Sequence, residues 1–374
     1  MKIKACVLWE TGKPRPYAES LPLSIEEVEL DPPGPGEVLV QIKAAGLCHS
    51  DLVAINGERA KPTPIVIGHE AAGVVTELGK GVDEFEVGDH VVPAYVASCG
   101  KCEMCREGRP ALCQPATIAN AAGTMRDGTT RLHRNGTSIN HHSGVAAFAE
   151  YAVISKDALV RINKSIPFEH AALFGCAVVT GVGSVVNTAS VRAGQSVAIV
   201  GLGGVGLSAL LAAAASSAGS IVAIDIKQDK LDLARQLGAH HAFNAADEGF
   251  IEKVRDVTGG GVDFAIETAG SPRALDTAYA VTRRGGTTIA AGMPGPDAKF
   301  TISHLSLAGE ERTLKGSYMG SCIPSRDIPR YLSLFRDGKL PVDRLMSRSI
   351  GFGELNEALD RLDDGTTVRE VLIP

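Results

Sequence analysis

The feature that most restricts how this chain can fold is Gly201-Leu202-Gly203-Gly204-Val205-Gly206, which directly follows the apolar run SVAIV and leads into a stretch of Leu and Ala. A G-x-G-x-x-G segment in that context predicts a strand, a tight turn and a helix. Its glycines allow the turn, the close approach of a pyrophosphate to the backbone, and the packing of helix on strand. The first amide groups of the helix and its dipole favour an anion there. Asp225 ends the next apolar run, IVAID, nineteen residues after Gly206, where a carboxylate binds the adenosine ribose hydroxyls and repels a 2′-phosphate. Gly201, Gly203, Gly204, Val205, Gly206 and Asp225 are therefore predicted to bind NAD rather than NADP. Lys230 falls near the same ribose or is a solvated helix lysine.

The text around this fingerprint alternates strands with helices. A helix over 206–217 is followed by a strand over 220–226, a helix over 229–238, the strand VDFAIETAG, a helix over 272–281 and the strand GTTIAAG. That order predicts a doubly wound parallel sheet over 178–320. Before it, 1–177 reads as short strands and turns, an all-β-leaning region with long loops. After it come helices over 326–337 and 352–363 and an apolar tail, VREVLIP, expected to return to the first region, so that 321–374 completes it. The segment 114–144 is polar, Gly-rich and without clear periodicity, which reads as a long functional or interfacial loop. At 374 residues the chain fits two domains with a cleft between them. Its net charge of −6, with both signs interspersed, argues against nucleic acid or a membrane surface and for a small-molecule partner. The apolar run after Lys2 and Lys4 is too short for a signal peptide and the run at 207–215 too short for a membrane span, so a cytoplasmic location is expected.

Eight cysteines in such a chain are read first as metal ligands or buried thiols. Cys99, Cys102, Cys105 and Cys113 fall within SCGKCEMCREGRPALC, and four thiolates so close can close a tetrahedron around one Zn²⁺ with no place for water, a structural site. The alternative is four buried thiols or a redox pair. Cys48 in GLCHSD, His69 in GHEAAG and Cys176 in FGCAVVTG are remote from one another, and each lies close to a glycine. Two thiolates and one imidazole leave a fourth position open for water or substrate, the arrangement of a catalytic zinc. Taken singly, each of the three reads equally as a core thiol or a hydrogen-bonded histidine. Asp51 is a candidate partner for the other ring nitrogen of a metal-bound imidazole, and Glu70, next to His69, for a transient approach to the metal. Ordinary surface carboxylates are the alternative for both. Cys6 and Cys322 read as buried apolar thiols.

Together GLCHSD, GHEAAG, the four-cysteine lobe, FGCAVVTGVG, GLGGVG with Asp225, and the terminal VREVL resemble the zinc-dependent medium-chain alcohol dehydrogenases along essentially the whole chain. The resemblance implies an α/β protein, with a β-rich catalytic domain of the GroES-like type and a Rossmann coenzyme domain. It implies two Zn²⁺ per chain, a catalytic one on Cys48, His69 and Cys176 and a structural one on the cysteine lobe. It also implies that His49 and Arg369 approach the cofactor pyrophosphate, that Ser50 accepts the hydroxyl proton of the alcohol, and that Tyr95, Ile118, His142, Met293 and Tyr318 line the substrate pocket. Liver-type relatives continue the proton relay with a histidine three residues beyond the serine, where this chain has Val53. The implied reaction is reversible hydride transfer between an alcohol, primary and aromatic or medium-chain, and NAD.

Three other readings resemble parts of the chain. A nicotinoprotein branch, in which NAD stays bound, is similar at VNTASVRAG and GCAVVTGVG. A branch acting on formaldehyde-thiol adducts is similar at CHSD but places an arginine where this chain has Thr117. A non-catalytic binding protein on the same fold would be free to lose the ligands, Ser50 and the fingerprint, all of which are present. A homodimer is expected from the likeness of 114–144 to dimeric relatives, with a tetramer as the alternative.

Overall fold

A computed structural model describes residues 1–374. The chain forms two compact units, one of Met1–Cys176, Ile323–Arg336 and Asp343–Pro374, the other of Ala177–Cys322 and Asp337–Val342.

In the first unit, alternation along the opening strand explains how one strand serves two cores. Along Lys2–Leu8, Ile3, Ala5 and Val7 enter one apolar cluster while Cys6 and Leu8 enter another. The first cluster fills a closed barrel of Lys2–Leu8, Leu23–Leu30, Leu132–Arg134, Thr137–His141 and Ile65–Val66. The second lies against a seven-stranded sheet whose central strand, Glu37–Gly46, pairs with Ala71–Leu78 and Tyr151–Ser155. The tail strand Arg369–Leu372 also joins Glu37–Gly46, with Val371 opposite Gly46.

The expectation of a structureless loop over 114–144 is corrected. This segment holds a helix, Gln114–Ala122, and a hairpin, Leu132–Arg134 with Thr137–His141. Pro115 at the start and Gly123 in the left-handed conformation at the end delimit the helix. Asn135 and Gly136, both at positive φ, make the two-residue hairpin turn that this dipeptide favours. Buried Leu132 and Ile139 point from the hairpin into the barrel core.

The second unit is a parallel sheet in the order His241–Asn244, Ser220–Asp225, Ser196–Val200, Val262–Glu267, Thr282–Ala290, Thr313–Gly316. Strand order reverses between Ser196–Val200 and Val262–Glu267, and ligands of such sheets bind at the carboxyl ends of the strands at that switch point. The strands His241–Asn244 and Thr313–Gly316 and the helix Phe250–Val257 lie outside the predicted pattern. No single helix of the chain is long and apolar enough to cross a membrane.

Candidate functional site

In the first unit the fold brings Cys48, His69 and Cys176 together. Donor atoms of these three and of Glu70 all lie within 4.8 Å of one another, and all four residues are buried. Glycines make this approach sterically feasible. A side chain at Gly46 would put its Cβ 2.6 Å from the Glu70 carboxylate, and one at Gly68, whose φ is +96°, would lie 2.6 Å from the Phe148 backbone.

Asp51 holds two members of the set at once. It sits in the first turn of the helix His49–Ile55, where its Oδ2 accepts the Cys48 backbone N–H at 3.0 Å. Its Oδ1 lies 2.9 Å from His69 Nδ1. With the Nδ1 proton given to Asp51, the other ring nitrogen, Nε2, is left as a donor of its lone pair, and it is buried with no hydrogen-bond partner. One oxygen of the Glu70 carboxylate is equally unpartnered, while the other lies 3.3 Å from Arg369, whose second amino group donates to the Leu47 carbonyl at 2.9 Å. An orphaned imidazole nitrogen beside two buried sulfurs is the donor set of a soft, tetrahedral cation, and zinc fits it.

The electrostatics show the same demand for a cation. The Cys176 thiol, hydrogen-bonded to the Cys48 sulfur, holds Cys48 well below an ordinary thiol, aided by His69 and Arg369 and opposed by burial. That contact together with burial holds Cys176 well above it. Burial works against a charged His69, yet Asp51 holds its imidazole well above the usual range. Burial likewise opposes the charge on Asp51, but His69 and His142 hold its carboxyl well below the usual carboxylate range. Glu70 is pushed up to about 8 by burial, against the pull of Arg369.

Of the other residues singled out in the sequence, His49 is exposed and Ser50 half-buried at the start of the same helix. Arg369 is only 4% exposed, its two terminal amino groups facing Leu47 and Glu70 while its Nε is buried without a partner. Tyr95 stands edge-on to the His69 ring at 5.7 Å, and Ile118 is 63% exposed on the helix Gln114–Ala122. His142 occupies a place that sequence reasoning did not assign. Its Nδ1 approaches Asp51 Oδ1 to 3.0 Å without the alignment of a hydrogen bond, and its ring lies 5.0 Å from His69. One carboxylate thus serves two imidazoles, a pairing that no local motif encodes.

The cysteine lobe is a second, separate constellation. Sulfurs of Cys99, Cys102, Cys105 and Cys113 lie within 4.8 Å of one another. Cys102 and Cys113 are 3.9 Å apart, close to the edge of about 3.8 Å that a tetrahedron with Zn–S bonds of about 2.3 Å would have. Backbone N–H groups of Lys101 and Cys102 donate to Cys99 and lower its thiol to about 6, whereas burial and Cys102 push Cys105 up to about 12. Four thiolates so close repel one another, and a cation among them would remove that repulsion. All eight cysteines are free of disulfides, and Cys6 and Cys322 are fully buried.

In the second unit the glycine-rich turn has the shape a dinucleotide requires. A Cβ at Gly206 would lie 1.8 Å from the Gly201 carbonyl oxygen, so only glycine lets the helix Gly204–Ala215 meet the turn. At Gly203, by contrast, a Cβ would meet nothing within 4 Å, and no side chain caps the helix that follows, which leaves its first amides available to a phosphate. Asp225 ends its strand beside this turn, and its carboxylate accepts the N–H groups of Leu202 at 2.6 Å and Lys227 at 2.9 Å. Lys230 is half-buried, Met293 is 52% exposed and Tyr318 half-buried.

Comparison with known proteins agrees with this chemistry. Residues 34–164 match the family described as alcohol dehydrogenase GroES-like domain and residues 204–337 the one described as zinc-binding dehydrogenase. The chain is 40% identical to an NDMA-dependent alcohol dehydrogenase of Amycolatopsis methanolica, covering 100% of this chain and 99% of that one. It is 36% identical to an S-(hydroxymethyl)glutathione dehydrogenase of a Synechocystis strain, covering all of both. Among solved structures, benzyl alcohol dehydrogenase from Acinetobacter calcoaceticus superposes with a TM-score of 0.93 at 33% identity, covering 100% of this chain and 99% of that one. The chain belongs to the zinc-dependent medium-chain alcohol dehydrogenases and is an NAD-dependent oxidoreductase of that family.

Proposed function

We propose that the first unit is the catalytic domain and the second the coenzyme domain, and that the enzyme interconverts primary aromatic or medium-chain alcohols and their aldehydes. Cys48, His69 and Cys176 would hold the catalytic zinc and the cysteine lobe the structural one. The observation that carries this reading is the buried, unpartnered His69 Nε2 among the sulfurs of Cys48 and Cys176. When bound, zinc supplies a Lewis acid that acidifies the alcohol hydroxyl, and NAD supplies the hydride acceptor. Ser50, two residues from Cys48, takes the hydroxyl proton onward, and Asp51 fixes the His69 ring so that its free nitrogen faces the metal. Glu70, with one oxygen unpartnered among the ligands, is placed for a transient approach to the metal. On the coenzyme side, Gly201 to Gly206 take the pyrophosphate, and Asp225 with Lys230 takes the adenosine ribose. Tyr95 and His142, packed against His69, would bound the space where the alcohol sits.

The aromatic preference draws support from the benzyl alcohol dehydrogenase among the similar structures. The test is metal analysis together with NADH absorbance on a panel of alcohols including benzyl alcohol and a formaldehyde-thiol adduct. Two zinc ions per chain and turnover of benzyl alcohol are expected; turnover of the adduct alone would overturn the substrate reading. A second reading, NAD that does not exchange, is favoured by the likeness to a relative named for its dependence on NDMA. Stoichiometric NAD(H) released on denaturing protein purified without nucleotide would establish it.

The same reading takes the enzyme as a cytoplasmic homodimer. Eight cysteines without a disulfide suit a reducing compartment. The edge strand Thr313–Gly316 is exposed along its whole length, with Leu305 82% exposed in the helix before it, and such an edge is a ready template for a second copy.

A further inference from the structure

Glu267 is a carboxylate that the chemistry above does not use, and it is only 2% exposed. It ends the strand Val262–Glu267, opposite Val200, the residue before the glycine turn, and opposite Ala290, the last residue of Thr282–Ala290. It therefore stands at the sheet's switch point, at the end of one of the two strands between which the order reverses.

Its surroundings form a clasp of three turns. The Glu267 Oε1 accepts the Gly270 N–H at 2.5 Å, and its backbone carbonyl accepts the N–H groups of Ala291 and Gly292 at 2.9 and 3.0 Å. Burial raises the carboxyl above the usual carboxylate range, against the pull of the surrounding amides. A Cβ at Gly292 would lie 2.2 Å from the Gly270 nitrogen and 2.8 Å from Glu267 Oε2, so the turn after Thr282–Ala290 presses on the turn after Val262–Glu267 with the carboxylate between them. On the other side, Thr268 Oγ1 donates to the Gly201 carbonyl at 2.7 Å, and a Cβ at Gly201 would lie 2.8 Å from Ala269. The glycine turn, residues 268–271 and residues 291–293 are thus interlocked at one residue, whose carboxylate holds the Gly270 amide and packs against Gly292 while its backbone carbonyl holds the amides of Ala291 and Gly292. Burying an acid at this edge is costly unless its oxygens are satisfied by such donors.

We propose that Glu267 is a positioning residue for the dinucleotide, setting the separation between the glycine turn and the turn at Gly292 and so the span of the cofactor site. It does not touch the reacting atoms; it acts through the backbone of the turns it gathers. This rests on the glycine turn being the nucleotide site, so Gly203→Val serves as the control for that reading.

The test is NADH binding to the zinc-loaded enzyme by titration calorimetry, with NAD(H) retained per chain after gel filtration measured alongside for nucleotide that does not exchange. Glu267→Ala is expected to weaken binding at least about tenfold, the loss of 1.4 kcal/mol, and Glu267→Gln, which keeps one acceptor oxygen, about threefold. For both, zinc content stays at the wild-type value and kcat at saturating NAD changes less than KM for NAD. Wild-type affinity in Glu267→Gln together with Glu267→Ala, or in Glu267→Gln alone if the alanine variant does not fold, overturns the proposal. A loss seen equally in kcat and KM also overturns it, because that pattern marks general disruption of the fold. Undiminished binding by Gly203→Val would sink the nucleotide-turn reading itself, a result distinct from either.

Discussion

The two candidate zinc sites of the first unit are built by opposite means. In the cysteine lobe, four ligands come from fifteen consecutive residues, three of the four are half-exposed, and the backbone of the same segment donates to its sulfurs. The other site draws its ligands from positions 48, 69 and 176, buries all of them, and depends on a helix, a barrel strand and a glycine-spaced turn to bring them together. A local site can close around its ion completely, which suits stability. A site assembled by the fold can leave one corner open, which suits chemistry.

Four substitutions or conditions would break or sharpen that contrast. The largest effect is expected at the fold-assembled site: Cys48→Ser should lower kcat/KM for benzyl alcohol by about three orders of magnitude, the several kcal/mol a Lewis acid contributes, with the thermal transition little changed. Full activity with two zinc ions bound would refute the assignment. Cys102→Ser should show the reverse pattern, one zinc lost per chain and a stability loss on the order of 3 kcal/mol, while folded molecules retain turnover. An unchanged urea midpoint would show that the lobe does not staple the fold. Asp51→Asn keeps every ligand but removes the charge that orients His69, and should cost about 10–100-fold in zinc affinity; competition with a chromogenic chelator reads this, and wild-type affinity would make Asp51 a bystander.

The smallest effect concerns pH. Burial, with Arg131 and His133 adding repulsion, lowers His141 to about 4 from an ordinary 6.5, and its Nε2 accepts the Arg131 N–H at 2.9 Å. The unfolded chain therefore takes up a proton that the folded one refuses, so stability is full above pH 6.5 and falls as pH drops toward 4. Between pH 6.5 and 5 the loss should be on the order of 1–2 kcal/mol. Urea midpoints of wild type and His141→Gln across that range check this; parallel slopes would exclude His141 as the cause.

What the sequence made legible follows the same division. The fold class was readable because the glycine turn and its alternating strands are local signals. The spacing of the lobe cysteines was equally readable. The hairpin within 114–144 was missed although Asn135-Gly136 advertised it, because the flanking strands are short and their buried members few. His142 beside Asp51 could not be read at all, since the two residues are ninety-one positions apart and meet only through tertiary pairing. Glu267 was passed over for a related reason: a single acid at the end of an apolar strand carries no signal until the turns around it are seen.

Ile65–Val66, three residues before His69, and Thr137–His141, which ends just before His142, are hydrogen-bonded neighbours in the closed barrel, with Val66 facing His141. A ring of strands has no loose end along which one member can slide, so the separation of the two imidazoles is fixed by ladder register rather than by side-chain preference. A single-residue deletion in Thr137–His141 would turn inward-facing Ile139 outward and carry His142 off Asp51 in the same movement. Metal-site geometry and barrel integrity therefore cannot drift independently in this protein's descendants.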